Sequence, residues 1–189
     1  GGGEGAFIGE VHRMASRLDD RYQLCAGALC SDANRSIRSG LKIGLSEQRC
    51  YTSYEKMIKA EQNLSDGIEV VAIVTPNHLH FKVAKKFLSA GIHVICDKPI
   101  TMNSDEAREL IELAERARLI LAVTYNYSGY PMVRQAKEMV QSGELGELRV
   151  INTHYTQDWL TEPLENSGHK QANWRVDPEK SGIGGCIGD

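Results

Sequence analysis

The amino-acid sequence predicts an α/β fold with a doubly wound parallel sheet. Along residues 1–124, short apolar runs alternate with segments whose apolar residues recur at helical spacing. Residues 70–96 form the clearest unit, in which a β-branched run, an amphipathic segment and a second apolar run follow one another. Such a unit joins two parallel strands, and its crossover is right-handed in about 98% of cases.

The elements of this unit have clear boundaries. Residues 70–74 are continuously apolar, as expected for a parallel strand that helices cover on both faces. A Thr-Pro-Asn turn ends the strand, and residues 78–90 then carry apolar side chains on one helical face. Gly91 provides the left-handed stop of this helix, so residues 92–96 return as a strand.

The remaining elements follow from the same periodicities, with Ser53 as one helix N-cap and Asn103 or Ser104 as another. Helices are predicted over residues 8–18, 53–62, 104–117 and 132–142, and strands over residues 22–29, 119–124 and, antiparallel, 148–156. Residues 159–188 show little periodicity and are predicted to form a long loop beside the site. Because tyrosines crowd around Gly129 and Pro131, we predict a domain of residues 1–124 followed by the beginning of another, residues 125–189.

The composition excludes several classes of partner. A net charge of −3 with both signs interspersed gives no basic surface for nucleic acid or a membrane, and no apolar run reaches the ~20 residues that span a bilayer. The five cysteines form no C-x-x-C pair, so we expect free thiols in a reducing, cytoplasmic compartment and assign no metal site. Since the chain opens on glycine, we interpret it as an internal fragment without its first strand, and a signal peptide stays an open alternative.

The first residues of the chain fit a phosphate-binding loop. Gly1, Gly3 and Ala6 match the pattern G-x-G-x-x-[GA], and a predicted helix follows at once. Glycines there let the backbone approach a pyrophosphate, which the exposed N–H groups and the helix dipole attract. A flexible glycine-rich terminus would look the same, but the alternating segments downstream provide the context of a Rossmann-like dinucleotide-binding fold.

The residues after the strand predicted over residues 22–29 bear on the type of dinucleotide. An acidic residue at this corner binds the ribose hydroxyls of NAD, whereas a small residue with arginines accepts the 2′-phosphate of NADP. Ser31 and Arg35 slightly favour NADP, and Asp32 leaves NAD open. In the alternative interpretation, Asp32 only starts the next helix and the arginines are solvated.

A lysine stands where chemistry would be expected. Lys98 follows the strand of residues 92–96 and precedes Pro99, at the carboxyl edge of the sheet, where open α/β sheets bind ligands. Lysine suits proton transfer, because burial and neighbouring charges can move the pKa of such a side chain towards neutrality. As the alternative, Lys98 is an ordinary surface lysine after a strand.

Four stretches together resemble the Gfo/Idh/MocA oxidoreductases: the glycine-rich start, residues 75–80, residues 91–99, and Trp174-Arg175 followed by residues 184–189. The resemblance spans the whole chain. It implies an N-terminal Rossmann domain and the start of a C-terminal α/β domain, whose mainly antiparallel open sheet often mediates homo-oligomerisation. It also implies hydride transfer between NAD or NADP and a secondary alcohol of a sugar, cyclitol or related polyol.

The resemblance assigns roles to individual residues. The family's E-K-P motif falls on residues 97–99, with Asp97 replacing the glutamate, and makes Lys98 catalytic. The family's catalytic aspartate falls on Asp189, and the histidine that usually follows four residues later lies beyond the end of the chain. Implied substrate contacts are Lys98, Tyr127, Trp174, Arg175 and Asp189. Implied cofactor contacts are Gly1, Gly3, Gly5, Ala6, Phe7, Ile8, Ser31, Asp32, Arg35, Thr75, Pro76, Asn77, His80, Asp97, Lys98 and Asn126.

Other interpretations stay open for the function and for single residues. The same cofactor chemistry could cleave a glycoside through transient oxidation, with no net consumption of NAD. A non-catalytic dinucleotide-binding or sensory protein would keep the loop but need neither Lys98 nor a catalytic histidine. His80 could be a polar helix cap or a partly buried ring, and Tyr127, Trp174 and Arg175 could pack at the domain boundary.

Overall fold

The computed structural model describes residues 1–182, and their centre is a three-stranded parallel sheet. Strands β1 (Val70–Ile73), β2 (His93–Cys96) and β3 (Leu121–Val123) lie side by side in that order. Ile73 pairs with Cys96, and Cys96 pairs with Val123, so the carboxyl ends of the strands are level. Parallel strands joined by crossover helices confirm the predicted α/β fold class.

Polar caps fix the starts of several helices. Asp32, Ser53 and Asn103 each accept a hydrogen bond from a backbone N–H of the first turn, which confirms Ser53 and selects Asn103 over Ser104. The helices in residues 1–182 are α1 (Ile8–Ala15), α2 (Ala33–Lys42), α3 (Tyr54–Glu61), α4 (His80–Ser89), α5 (Ser104–Ala117), α6 (Pro131–Gln141), α7 (Lys170–Arg175) and α8 (Pro178–Ser181), with 3₁₀ turns at Glu47–Arg49, Asn77–Leu79, Asn126–Gly129 and Leu164–Ser167.

The hydrophobic core lies where α4 and α5 pack on each other and on the sheet. Phe87 and Leu88 of α4, Val94 of β2 and Leu110 of α5 are at most 1% exposed. Burial of these side chains against β2 removes a large apolar area from water. The strand ends that carry the candidate site are therefore anchored in a closely packed core.

The prediction of a strand over residues 22–29 is wrong. This stretch forms a single isolated bridge, between Gly27 and Cys50, and its end accepts a hydrogen bond at Leu29 from the Gly3 N–H. An extended segment becomes a strand only when a neighbour pairs with it over several residues. Here the neighbouring segments contribute isolated hydrogen bonds, so the apolar run is extended without belonging to the sheet.

The antiparallel strand predicted over residues 148–156 is also wrong. No described residue pairs with its backbone, and Val150 and Ile151 are 75% and 76% exposed. A period-two pattern reports which side chains share a face, but a strand also needs a hydrogen-bonding neighbour. The long loop predicted over residues 159–188 contains α7 and α8, and residues 124–182 include no strand.

Candidate active site

The level strand ends bring three loops together at one edge of the sheet. Asp97 follows β2, and its N–H donates to the Ile73 carbonyl oxygen at 2.9 Å. Thr124 follows β3, and its hydroxyl donates to Asp97 Oδ1 at 2.8 Å. These two bonds fix the backbone from which the half-buried Lys98 side chain starts. The predicted lysine thus lies at the carboxyl edge of a parallel sheet, where ligands bind in this class of fold.

His80 joins the loops that follow β1 and β2. Its ring is fully buried, with Nε2 2.8 Å from the Thr75 carbonyl oxygen and Nδ1 2.6 Å from the Pro99 carbonyl oxygen. Both carbonyls can only accept, so the ring must donate an N–H wherever a hydrogen bond forms. Because both nitrogens face backbone, the contacts of His80 support a role in positioning the turn at Lys98.

The glycine-rich loop closes directly onto the start of α1. The Gly3 N–H donates to the Leu29 carbonyl oxygen at 3.0 Å, and a Cβ on Gly3 would lie 2.8 Å from that oxygen. A Cβ on Gly9 would come within 2.3 Å of the Gly2 Cα. Only glycine allows these approaches. The Ile8 and Gly9 N–H groups at the start of α1 have no hydrogen-bond partner in the described residues and suit an anion, whereas the Glu10 N–H donates to the Phe7 carbonyl oxygen at 3.2 Å.

The other residues predicted to bind the cofactor in this loop have different surroundings. Gly1 lies against the backbone after β1, since a Cβ there would be 2.6 Å from a carbonyl oxygen. The Ala6 N–H donates to the Gly3 carbonyl oxygen at 3.0 Å and closes the turn. Gly5 has open space around its Cα, and Phe7, the residue before α1, is 71% exposed. The loop therefore presents an open outer face beside α1.

The corner after residues 22–29 carries exposed polar side chains. Asp32 Oδ1 accepts the Arg35 N–H at 2.7 Å, so Asp32 is the N-cap of α2, as in the alternative interpretation. Ser31, Asp32 and Arg35 are all exposed. Ser36 behind them is buried, accepts from the Leu29 N–H at 2.8 Å and fixes this corner next to the glycine-rich loop.

The Thr-Pro-Asn turn after β1 contributes two buried polar groups. The Asn77 side-chain amide donates to the Ser181 carbonyl oxygen at 2.9 Å and ties α8 to this turn. The Thr75 hydroxyl is buried and has no hydrogen-bond partner in the described part of the chain. Pro76 between them is half-buried. A buried hydroxyl without a partner is costly, so the site favours a ligand that bonds to Thr75.

The residues predicted for substrate contact fall into separate groups. Tyr127 and Tyr155 join their hydroxyls in a hydrogen bond, and their rings meet edge to face with centroids 5.5 Å apart. Asn126 is exposed in the turn before Tyr127. The Arg175 guanidinium lies 5.6 Å from the ring centroids of both Trp159 and Trp174. Asp189 lies outside the described residues, so its predicted role stays a prediction.

Electrostatics near Asp97 distinguish two neighbouring groups. Burial lowers the pKa of His12, on α1, although the negative charge of Asp97 opposes that shift. Burial raises the pKa of the Cys96 thiol to about 12, and the Asp97 charge adds to this effect. His12 is therefore mainly neutral and Cys96 remains a thiol at neutral pH. Among residues 1–182, no group of His, Cys, Asp and Glu side chains is placed to hold a metal ion.

Three residues that hold the glycine-rich loop were not predicted as part of the site. Arg13 donates from Nη1 to the Gly2 carbonyl oxygen at 2.9 Å, and buried Ser39 accepts from the Glu4 N–H at 3.0 Å. Gly9 provides the closest contact between the loop and α1. Gly9 and Arg13 are four residues apart, so helical spacing behind a glycine-rich loop was the available signal. No sequence signal pointed to Ser39, because its hydrogen-bond partner Glu4 is distant in sequence.

A glycine-rich loop that opens onto a helix N-terminus, beside the carboxyl edge of a parallel sheet, defines a dinucleotide-binding Rossmann domain. Comparison with known proteins identifies the family. Residues 3–125 match the model described as "Oxidoreductase family, NAD-binding Rossmann fold", and residues 133–189 match the "GFO/IDH/MocA C-terminal domain". The chain therefore belongs to the Gfo/Idh/MocA oxidoreductase family.

Several relatives cover almost the whole chain. The uncharacterized oxidoreductase YfiI of Bacillus subtilis is 38% identical over 100% of this chain and 48% of its own length. An inositol dehydrogenase homolog from Azotobacter vinelandii, complexed with NAD+, is 37% identical with a TM-score of 0.92, over 100% of this chain and 49% of that one. The structure of that homolog with NADH and myo-inositol is 36% identical with a TM-score of 0.85, over 94% and 45%. The chain spans about half the length of the curated relatives it matches.

Proposed function

We propose that the protein is an NAD(P)-dependent oxidoreductase that moves a hydride between its cofactor and a secondary alcohol of a sugar, cyclitol or related polyol. The placement of Lys98 carries this proposal. The lysine starts from a turn held by His80 on one side and by the Asp97–Thr124 hydrogen bond on the other. The myo-inositol in the A. vinelandii homolog supports a cyclic polyol as the class of substrate.

The residues present fit a dinucleotide cofactor. A pyrophosphate is proposed to lie over residues 3–8, where Gly3 and Gly9 allow close approach and α1 offers its first N–H groups. The unpartnered Thr75 hydroxyl is available to the nicotinamide portion, with Pro76 and Asn126 at its edge. A bound nicotinamide supplies the hydride acceptor or donor. The choice between NAD and NADP stays a prediction, in which Ser31 and Arg35 favour NADP.

In the proposed reaction Lys98 handles the proton. Oxidation of an alcohol releases a proton from its oxygen, so Lys98 Nζ accepts that proton in this direction and returns it in the reverse direction. Asp189 is proposed to hold substrate hydroxyls. Tyr127, Trp174 and Arg175 are proposed to line the substrate side, where aromatic faces and a guanidinium suit a polyhydroxylated ring.

Replacement of Lys98 by Met tests the proposal in the full-length protein. We expect kcat to fall by about 10²- to 10⁴-fold, because the proton acceptor is lost, while the Kd of NADH changes less than about twofold. Formation of NAD(P)H from myo-inositol and a panel of sugars and polyols measures kcat. Lys59→Met, which removes an exposed lysine from α3, is the matched control and should leave both quantities unchanged.

Other outcomes would redirect the assignment. Unchanged turnover in Lys98→Met would contradict the catalytic role of this lysine. Cleavage of a glycoside without net formation of NADH would indicate the transient-oxidation reaction, and binding of NADH without turnover of any substrate would indicate a sensory protein.

We also propose that the protein is cytoplasmic and forms homo-oligomers through its second domain. Exposed apolar side chains support association: Met132, Val150 and Ile151 are each more than 70% exposed. No helix in residues 1–182 is long and apolar enough to cross a bilayer. Light scattering on the full-length protein measures its oligomeric state, and a monomer at micromolar concentration would contradict the association.

A further inference from the structure

The Glu4 carboxylate lies against two cations of α2. Its Oε2 is 3.5 Å from Arg38 Nη2, and its Oε1 is 3.6 Å from Lys42 Nζ. The backbone of Glu4 is held in place, since its N–H donates to the buried Ser39 hydroxyl oxygen at 3.0 Å. Glu4 therefore connects the glycine-rich loop to α2 through one main-chain bond and two ion pairs.

The cations that Glu4 faces belong to a basic stripe along α2. Arg35, Arg38 and Lys42 are three and four residues apart, a spacing that places them on one helical face. The stripe begins at the end of α2 next to Ser31 and Asp32, where the adenosine ribose lies in dinucleotide-binding folds. A phosphate on the 2′-oxygen of that ribose would be attracted by these cations.

The carboxylates around the stripe reduce that attraction. Glu4 is paired with Arg38 and Lys42, and Asp32 is held at the head of the helix by the Arg35 N–H. Within the described residues, the Arg35 guanidinium has no ion-pair partner. Three cations thus face two carboxylates, and loss of either carboxylate would leave most of the basic charge uncompensated.

We infer that Glu4 is a specificity-determining residue that restrains binding of a 2′-phosphorylated dinucleotide, by offsetting part of the positive charge of Arg38 and Lys42 and by repelling the added phosphate. The inference rests on the proposed function, because it requires a dinucleotide bound over residues 3–8. A dinucleotide without the 2′-phosphate avoids this repulsion. The wild-type protein therefore binds NADPH less tightly, relative to NADH, than the arginines that follow Ser31 would allow without Glu4.

Fluorescence titration of the full-length protein with NADH and NADPH at low ionic strength tests the inference without knowledge of the substrate. In Glu4→Gln, we expect the affinity for NADPH relative to NADH to rise by about three- to tenfold, because a unit negative charge that repels the phosphate is removed. Glu112→Gln removes the same charge from an exposed position on α5 and should leave this ratio unchanged. Added salt should shrink the gain, because the charges involved are exposed.

Two further variants identify the cations involved. Arg38→Gln alone should lower the affinity for NADPH relative to NADH, because it removes a unit positive charge next to Glu4 that attracts the phosphate. Arg38→Gln combined with Glu4→Gln should cancel much of the gain, and the four proteins form a double-mutant cycle. Thermal unfolding of each variant shows whether it is folded, and Glu4→Asp, which keeps the charge, should retain the wild-type ratio.

The possible failures are distinguishable. If both nucleotides bind and Glu4→Gln leaves their ratio unchanged, the role of Glu4 is overturned and dinucleotide binding stands. If the wild-type protein binds neither NADH nor NADPH, the proposed function fails and the inference fails with it.

Discussion

The region before residue 125 and the region after it differ in what their apolar residues contact. Each residue of the main hydrophobic cluster lies between Ala26 and Ala114. In residues 125–182, only Ala172 and Ser181 are buried. The long helix α6 has no buried residue, although its apolar side chains recur with helical periodicity. Amphipathic helices occur in both regions. The two regions differ in whether those helices pack against a sheet.

This difference explains where the candidate site is well defined. Loops that follow β1, β2 and β3 start from packed strands, so hydrogen bonds such as Thr124 to Asp97 have fixed end points. Within residues 1–182, a buried side-chain hydrogen bond from Asn77 to Ser181 joins the second region to the site. Lys98 and the glycine-rich loop are therefore supported by the core, whereas Tyr127 and Arg175 make ring contacts within the second region.

Truncation of a core side chain should show the largest difference between the regions. Phe87→Ala removes a ring that is 1% exposed, and we expect the free energy of unfolding to fall by about 3–5 kcal/mol. Ile151→Ala in the second region should change it by no more than about 0.5 kcal/mol, because that side chain is 76% exposed. Urea unfolding measures both. Comparable losses in the two variants would show that the second region is packed in solution.

The same contrast accounts for what the sequence could predict. The three strands and helices such as α3 and α5 were predictable because their periodicity and caps, Ser53 and Asn103, are local. Residues 22–29 and 148–156 have equally clear patterns, but a strand also depends on a partner that the pattern does not specify. The position of Lys98 at the sheet edge was predictable because it follows from parallel topology alone.

Contacts between distant segments were not predictable. The ring nitrogens of His80 lie within hydrogen-bond distance of the Thr75 and Pro99 carbonyl oxygens, and backbone carbonyls have no side-chain signature. Glu61 is a polar residue at the end of a predicted helix, yet it is 1% exposed and bonds to Arg49 and Tyr51. Periodicity places such a residue on a helix face and does not show which charged group will meet it.

The buried Glu61 carboxylate provides a second test, on the pH dependence of the core region. Burial alone would raise the pKa of Glu61, but hydrogen bonds from Arg49 and Tyr51 outweigh it and lower the pKa below its ordinary value of 4.5. The folded state therefore gains stability above the unfolded pKa and loses it as pH falls through the folded pKa. At neutral pH, Glu61→Gln should cost about 2–3 kcal/mol, because Arg49 stays paired with Asp66.

Urea unfolding at several pH values checks this expectation. Stability of the wild-type protein should fall more steeply below about pH 4.5 than that of Glu61→Gln, and the two curves should converge in acid. Glu112→Gln, at an exposed position, should follow the wild-type curve. Parallel curves for wild type and Glu61→Gln would contradict the assignment of this acid sensitivity to Glu61.

Asn77→Ala should have the smallest effect, and it tests most directly how the two regions are joined. Asn77 is 7% exposed and donates to the Ser181 carbonyl oxygen at 2.9 Å, so Asn77→Ala removes one buried hydrogen bond. We expect a loss of about 1 kcal/mol in the free energy of unfolding. Hydrogen exchange should separate the regions: the backbone N–H groups of α8 should exchange faster in Asn77→Ala, while those of β2 should not change. Asn173→Ala, at an exposed position on α7, is the matched control. If exchange in α8 is the same in all three proteins, the Asn77–Ser181 hydrogen bond is not needed to hold α8. Packing of α8 on the turn after β1 would then be what joins the two regions.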